Sequence, residues 1–502
     1  MNLIDKVIGL FSPEKATQRQ AYRNLLRHYD AGGFGRPNTN WVAVDGTAEQ
    51  TDSVNRDIVR ARARDLERNS DMARSVTSAF KRNVAGQGWT LQARTKDDAL
   101  NTQIETAWTE WCRKRNCDIT GQQSFNQMLR MAVERKKIDG GILFIKCYTD
   151  SGIVPFKLQA VEVDNLAGGY LQPTNRDNSV VGGVEVDKYG AHVGYFIRQF
   201  TPDGFMELDP KFVPAKDAIF YYTKRRPSQI REMSDLAPTI MRIRDANEFM
   251  TAVSVKERVT ACLAVFIKKI TGTGGIGRGV NTAPQKDYEG KTITPGMIKE
   301  LNAGDEIQVV NPSGQSADAA SFIKIQQRLI AAGQGLSYEA TSRDMSQSNY
   351  SSARQGLIED GYTYLEETEL LMDAVMDEAF ETFVISGVLS GLFDIPDFWE
   401  NKRDYLRHEW VAAPKKWIDP LKEANAQKIA LMTGQKTFKQ IAAENGRDWK
   451  EQVDEIAEVL DYAEGKGIDL GGVIFGKDIS AAGEGYDAAD YQSNAESVSQ
   501  GD

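Results

Sequence analysis

The glycines of Gly272-Thr273-Gly274-Gly275-Ile276-Gly277 stand at the spacing of a turn that lays a dinucleotide pyrophosphate on a helix N-terminus. That chemistry needs a helix opening directly behind them. Here Arg278-Gly279-Val280-Asn281-Thr282-Ala283-Pro284 follows, which cannot open one, so the run reads as a loop tip. Gly471-Gly472-Val473-Ile474-Phe475-Gly476-Lys477-Asp478 comes close to a phosphate-cradling loop. Asp478 occupies the place of the magnesium-ligating Ser or Thr, and the cradle is apolar. His28, His192 and His408 are scattered, with no i, i+4 partner and glutamate of a zinc hydrolase. Among the cysteines only Cys112 and Cys117 are close. Cys147 and Cys262 stand apart, and no second Cys/His pair lies nearby, so zinc is not expected and the thiols read as free. No cofactor and no catalytic set is expected.

A different kind of chemistry is written in Arg343-Asp344-Met345-Ser346-Gln347-Ser348-Asn349-Tyr350-Ser351-Ser352-Ala353-Arg354. The run is rich in hydroxyls and amides, contains one carboxylate, Asp344, and has no neighbouring histidine to act as a base. It is suited to touching a polar, charged polymer without gripping it, because each such hydrogen bond has a small net worth. Arg343 and Arg354 could meet phosphate or pair with an acidic neighbouring subunit. Loops of this kind on a rigid scaffold commonly carry function.

The elements around it are mainly helical. From Ser53 to Ala85 there is no Gly or Pro, and Asn69-Ser70-Asp71 reads as the cap of a new helix whose Met72, Val76 and Phe80 share a face. Arg60, Arg64 and Arg68 form an i, i+4 basic stripe. It reads as a solvated face beside Asp57 and Glu67, or as a contact to phosphate or an acidic neighbour. Leu100, Ile104, Trp108, Trp111 and Cys112 mark one amphipathic helix, with the tryptophans in the core. Phe125, Met128, Leu129, Ala132 and Val133 mark another. After Asp139-Gly140-Gly141 the pattern turns to β: 141–148, 153–163, 183–186 and 192–199 read as one small antiparallel sheet on a helical layer, an α+β unit. Pro238 opens a second Gly- and Pro-free stretch, Thr239 to Thr271, read as a long helix that packs side by side with others. Residues 272–317 break into turns and extended runs such as Glu306–Val310, and Ala319 to Ala332 is again helical. Beyond the polar loop, Leu371 to Val384 is strongly amphipathic. Its other face carries Glu366, Glu367, Asp373, Asp377 and Glu381, read as solvated or as an electronegative lining or docking surface. Gly434 reads as a helix C-cap and Asp448 as an N-cap. Acidic residues 480–502 read as disordered.

At 502 residues and ~100–200 residues per domain, roughly three or four units are expected. A net charge of −10 argues against a general nucleic-acid binder but allows a surface over which DNA slides, since strong cationic contacts would trap it. Leu3, Ile4, Val7, Ile8 and Phe11 have helical spacing, read as a short docking helix rather than a signal peptide. No run approaches the ~20 apolar residues of a membrane span.

Several stretches, taken in order, resemble the portal proteins of lambda-type tailed bacteriophages. They are Arg60–Asn69 continuing to Asn83–Gly88, Val213-Pro214-Ala215 with Arg226–Arg231, Leu336–Glu339 with Asp344–Arg354, and Trp417–Glu423. Phe220 and Glu232 depart from the pattern, where a histidine and a glycine would be expected, and 272–300 has no clear counterpart.

The resemblance implies a non-enzymatic ring, typically of twelve subunits, at one capsid vertex. Double-stranded DNA would move through its channel during packaging and ejection. The implied partners are the terminase large subunit, a head–tail adaptor and capsid or scaffold proteins, with no membrane. The implied place is the virion, and the host cytoplasm during assembly. The implied parts are an N-terminal arm (1–52), a wing (53–236), stem helices (237–271 and 318–335), a clip (272–317), a segment 336–416 holding the tunnel loop (near 341–352) and the long helix behind it (351–385), a crown (417–479) and an acidic tail (480–502). The resemblance makes Arg343, Ser346, Gln347, Ser348, Asn349, Tyr350 and Arg354 the tunnel-loop residues, and Arg278, Lys286 and Lys291 the clip candidates. A hydrolase or protease with dispersed catalytic residues is the alternative reading, and a membrane pore-former the third.

Overall fold

Thr47 accepts a hydrogen bond from Gln50 N while Gln50 answers to the Thr47 N–H, a capping box that opens helix α1 (Ala48–Asn69). The computed structural model describes residues 45–198, 209–262, 266–267, 299–300, 316–346, 350–413, 420–468 and 470. Ser70 closes α1 through its N–H and opens α2 (Asp71–Phe80) by accepting from Ala73 N, as the sequence predicts. A π-turn over Lys81–Ala85 prolongs α2, Gly86 ends it at φ 53°, and strand β1 follows (Trp89–Ala93). Helices α3 (Asp98–Trp111) and α4 (Phe125–Asp139) come next. Gly140, at φ 94°, ends α4. A Cβ there would lie 2.5 Å from the carbonyl carbon of Met233, so both dihedral and space require glycine.

The β region forms two antiparallel sheets rather than the single one expected. Strand β2 (Gly141–Cys147) lies between β3 (Lys157–Val161) and a late strand. The segments β4 (Ser179–Val181), β5 (Val184–Val186), β6 (His192–Ile197) and β7 (Lys211–Pro214) make a four-stranded meander, and β8 (Ala218–Tyr222) returns to pair with β2. Strands of three to five residues carry too little alternation to announce themselves, which is why β4, β7 and β8 are not legible beforehand.

Helix α5 (Ile240–Cys262) packs alongside α6 (Ser316–Gly333), with the rings of Phe249 and Phe322 4.5 Å apart. The short α7 (Tyr338–Ser342) leads to α8 (Tyr350–Leu371). A π-turn at Met372–Met376 then runs without interruption into α9 (Asp377–Leu389), giving a rod of about 60 Å at ~1.5 Å per residue. Strand β9 (His408–Ala412) returns to pair antiparallel with β1, Leu91 opposite Trp410, a ladder not visible in the sequence pattern. The helices Pro420–Met432 (α10), Phe438–Glu444 (α11) and Trp449–Gly465 (α12) close the described chain. Gly434 takes φ 69° behind α10 and Asp448 caps α12, as expected.

The main core is aromatic. Trp108 and Trp111 stack at 4.9 Å, with Phe125, Phe380 and Phe383 edge-on or tilted around them. Trp111 is fully buried and its Nε1 donates to Phe156 O at 2.9 Å. The pair is core, as the sequence reading has it. Trp111→Ala should therefore cost ~3–5 kcal/mol in denaturant unfolding. Trp399→Ala, at an exposed ring, should cost well under half of that.

Candidate functional site

The polar loop rises from a tightly held base. Ser337 caps α7, and its own N–H and hydroxyl both donate to the Asp360 carboxylate of α8 at 2.6 Å. Arg343 ends α7 at φ 59°; among the described residues it is the one non-glycine in the left-handed region. Asp344 then accepts from Ser346 N (3.0 Å) and from the Tyr338 hydroxyl (3.2 Å). Ser346, first of all, holds that carboxyl below its ordinary range. The single carboxylate of the loop is thus used in folding it, and Ser346 and Met345 lie exposed above it. Gln347, Ser348 and Asn349 lie outside the described residues.

The long helix expected from 351 begins one residue earlier: α8 opens at Tyr350, and Arg354 sits exposed on it. Serines are favourable in a helix's opening turn, which makes a hydroxyl-rich helix start look like loop in sequence. A cavity of about 410 Å³ opens at the base of the loop, lined among others by Arg82, Arg343, Asp360 and Tyr364. Arg278, Lys286, Lys291, His28 and both glycine-rich runs lie outside the described residues. Among the described residues no group of three or more His, Cys, Asp and Glu is placed to hold a metal, and no helix is long and apolar enough to cross a membrane.

Helix α8 is pinned from below by buried charge. Glu367 accepts from Lys136 at 2.7 Å and Lys137 at 2.6 Å, both at the end of α4. Lys136 also reaches Asp235 at 2.9 Å, and Arg225 reaches the other oxygen of Asp235 at 2.7 Å. Burial works against charge on both members, yet Lys136 is raised by Asp235 and Glu367, and Asp235 is lowered by Lys136 and Lys137. Lys137 additionally lies 3.8 Å above the Phe80 ring. Nothing in the local sequence marks these residues, because their partners come from positions far along the chain.

The arginine stripe is neither a solvated face nor a bare phosphate contact. Arg60 is buried and bonds Asp57 (2.6 Å), Asp164 (3.0 Å) and Glu232 (3.3 Å). Arg64 bonds Asp139 and Asp164. Only Arg68 of the three stays exposed. Glu232, unexpected at its position, is fully buried and bonded by Arg231 at 2.7 Å.

The acidic face of α8 and α9 divides in the same way. Glu367 turns inward, Asp377 takes His408 Nε2 (3.1 Å) and Trp410 Nε1 (2.7 Å), and Glu381 takes Lys402 (2.6 Å). Glu366 and Asp373 remain exposed.

The model of the lambda family of phage portal proteins matches residues 34–367, more than half of the chain. The chain belongs to that family. It is 23% identical over 476 residues to the probable portal protein of Halomonas phage phiHAP-1, covering 90% of each. It is 21% identical over 482 residues to portal protein B of Escherichia phage lambda, covering 88% of this chain and 90% of that one. With the portal protein of Escherichia phage N15 the identity is 20% over 486 residues, covering 89% and 91%. Among solved structures it is similar to a chain in the neck of an empty GTA particle, at 13% identity and a TM-score of 0.43, covering 77% of this chain and 93% of that one. The family resemblance expected from the sequence therefore holds.

Two measurements probe this portal-family scaffold. Glu367→Ala should destabilise it by ~3–5 kcal/mol, because Lys136 and Lys137 would then share Asp235 alone. Lys136→Met added to it should recover part of that loss in denaturant unfolding. The histidines set two pH windows. Burial, then Lys224, depresses His192 from 6.5 to about 4. The unfolded chain thus binds that proton more readily, and stability should fall as pH drops from about 6.5 to 4. His408 is raised above 6.5, burial being outweighed by Asp377. Its stabilisation is present below 6.5 and lost as pH rises through the raised value. Thermal melts across pH should flatten on the acid side in His192→Gln and on the alkaline side in His408→Gln.

Proposed function

We propose that this portal-family chain forms a closed ring at one capsid vertex, through which double-stranded DNA passes during packaging and ejection. The observation that carries the reading is the loop at 343–346. It is fixed at its base by Asp360 and the left-handed Arg343, and its one carboxylate is internally bonded. A conduit needs contacts that are positioned but weak. Ser346, Gln347, Ser348 and Asn349 offer hydrogen bonds of ~1 kcal/mol each, while a ring of strong cationic contacts would retain DNA.

In this reading residues 53–236 form the wing, and α5 and α6 belong to the stem segments 237–271 and 318–335. Residues 272–317, with Arg278, Lys286 and Lys291, form the clip, and a head–tail adaptor docks on the ring. Residues 336–416 hold the tunnel loop and its helix, and 417–479 the crown. The terminase large subunit docks on the ring and supplies ATP hydrolysis. Capsid or scaffold proteins surround it in the virion. Heterologous contacts that close make such a ring.

Native mass spectrometry and negative-stain imaging of the purified chain should give rings with a hole of duplex width. A monomer at high concentration would sink the proposal. Replacing Ser346–Asn349 by alanines should leave rings intact and lower packaged or retained DNA; unchanged packaging with the loop deleted would remove its DNA role. Arg343→Gly removes the cation and relieves ~1 kcal/mol of left-handed strain, whereas Arg343→Ala removes the cation and keeps that strain. Equal packaging defects in the two would assign the role to the guanidinium.

A further inference from the structure

Helix α4 is buried along its length, and two helices flank it. On one side α1 is held by Arg64 to Asp139 and by Arg135 to Glu67; on the other α8 is held by Glu367 to Lys136 and Lys137. Both α1 and α8 also carry exposed apolar side chains.

On α1, Val54 is 76% and Ile58 51% exposed, and the stripe continues to the exposed guanidiniums of Arg62 and Arg68. Asp65 lies between these two and is tied to Asn69. On α8, Ile358, Tyr362 and Leu365 are 45%, 65% and 53% exposed, and their stripe continues to exposed Glu366, Glu369 and Asp373. Each stripe is apolar toward the helix N-terminus and charged toward the C-terminus, with opposite sign. At ~1.5 Å per residue Val54 to Arg68 and Ile358 to Asp373 both span about 21–22 Å.

We propose that the α1 face of one subunit packs in parallel on the α8 face of a second copy. Val54 and Ile58 lie against Ile358, Tyr362 and Leu365, and Arg62 and Arg68 against Glu366, Glu369 and Asp373. The occupant is another copy of this chain because the two stripes match each other in length, direction and sign. Because the two patches are different surfaces of one chain, the contact is heterologous, the kind that propagates from subunit to subunit and can close as a ring. The inference rests on the ring reading above and adds to it which surfaces meet. It also gives Glu366 and Asp373 a neighbour's arginines as partners instead of solvent.

The test uses two charge-reversed variants of the full chain. Arg62→Glu with Arg68→Glu, and separately Glu366→Arg with Glu369→Arg, should each assemble roughly tenfold less readily than wild type. Mixing the two should restore rings, since alternating subunits then meet reversed face to reversed face and native face to native face. Restoration on mixing also shows that both variants fold. In addition, Ile58→Cys with Tyr362→Cys in one chain should give a ladder of disulfide-linked oligomers on mild oxidation, absent from wild type. Rings that form in wild type but ignore both reversals, or a cysteine pair that stays unlinked within formed rings, would overturn this interface and leave the ring reading standing. The same holds if Ile58→Cys links instead to Ile325→Cys, on the exposed Phe322–Ile325–Leu329 stripe of α6. A wild-type chain that never forms rings would overturn the ring reading itself.

Discussion

Lys136 and Lys137 stand side by side at the end of α4 with almost no access to water, and the arrangement of the surrounding helices follows from what neutralises them. Two buried ammonium groups are untenable alone: desolvation costs several kcal/mol per ion and must be met by close, well-oriented acceptors. Asp235 comes from the segment before α5, Glu367 from the C-terminal end of α8, and Arg225 stands at the outer edge of the cluster. One turn further, Asp139 binds Arg64 of α1. The C-terminal end of α4 thus fixes α1, α5 and α8 relative to one another by charge, while its apolar residues face the aromatic core. Hydrophobic burial gives no direction; the ion pairs do, and a slip of α8 by one turn would leave both lysines without Glu367.

That arrangement explains which parts of the molecule were legible in the sequence. Periodicity found α2, α3, α4 and the later part of the long rod, Leu371 to Val384, and local chemistry found the caps at Ser70 and Asp448, because each depends on residues within a few positions. Long-range pairings carry no such signature. The β1–β9 ladder joins Trp89 to Ala412, and the Arg60 and Arg64 acceptors come from Asp139, Asp164 and Glu232. An i, i+4 run of arginines looks the same whether it faces solvent or a wall of carboxylates, so the stripe was misjudged. The candidate site was legible in its chemistry, with one carboxylate and no base. Its boundary came from the family resemblance rather than from local chemistry, since hydroxyls at 351 and 352 suit a loop and a helix start equally.

The two family departures show how such a structure absorbs change. A glycine at 232 would leave Arg60 and Arg231 facing each other with fewer acceptors. Glu232 supplies a carboxylate to both, and is itself wholly buried. At 220 the ring is Phe, yet an imidazole is still beside it: His192, on the neighbouring sheet, lies 6.1 Å from Phe220 and stacks on Tyr222. The histidine there is neutral because burial depresses it, so it acts as an aromatic surface with one hydrogen bond to Tyr195 rather than as a charge.

A rigid scaffold with a weakly interacting tip is a coherent physical design. The base of the loop is over-determined: the Ser337–Asp360 contact, the left-handed Arg343 and the folded-back Asp344 each fix it, and α8 behind it is held by Glu367. A tip mounted this way loses little entropy when it meets a partner, so even small hydrogen bonds can be felt. Strong bonds on the same rigid mount would hold a passing polymer in place. The internal use of Asp344 has the same sense: a carboxylate left free at the tip would repel phosphate, and this one is folded back against Ser346 and Tyr338.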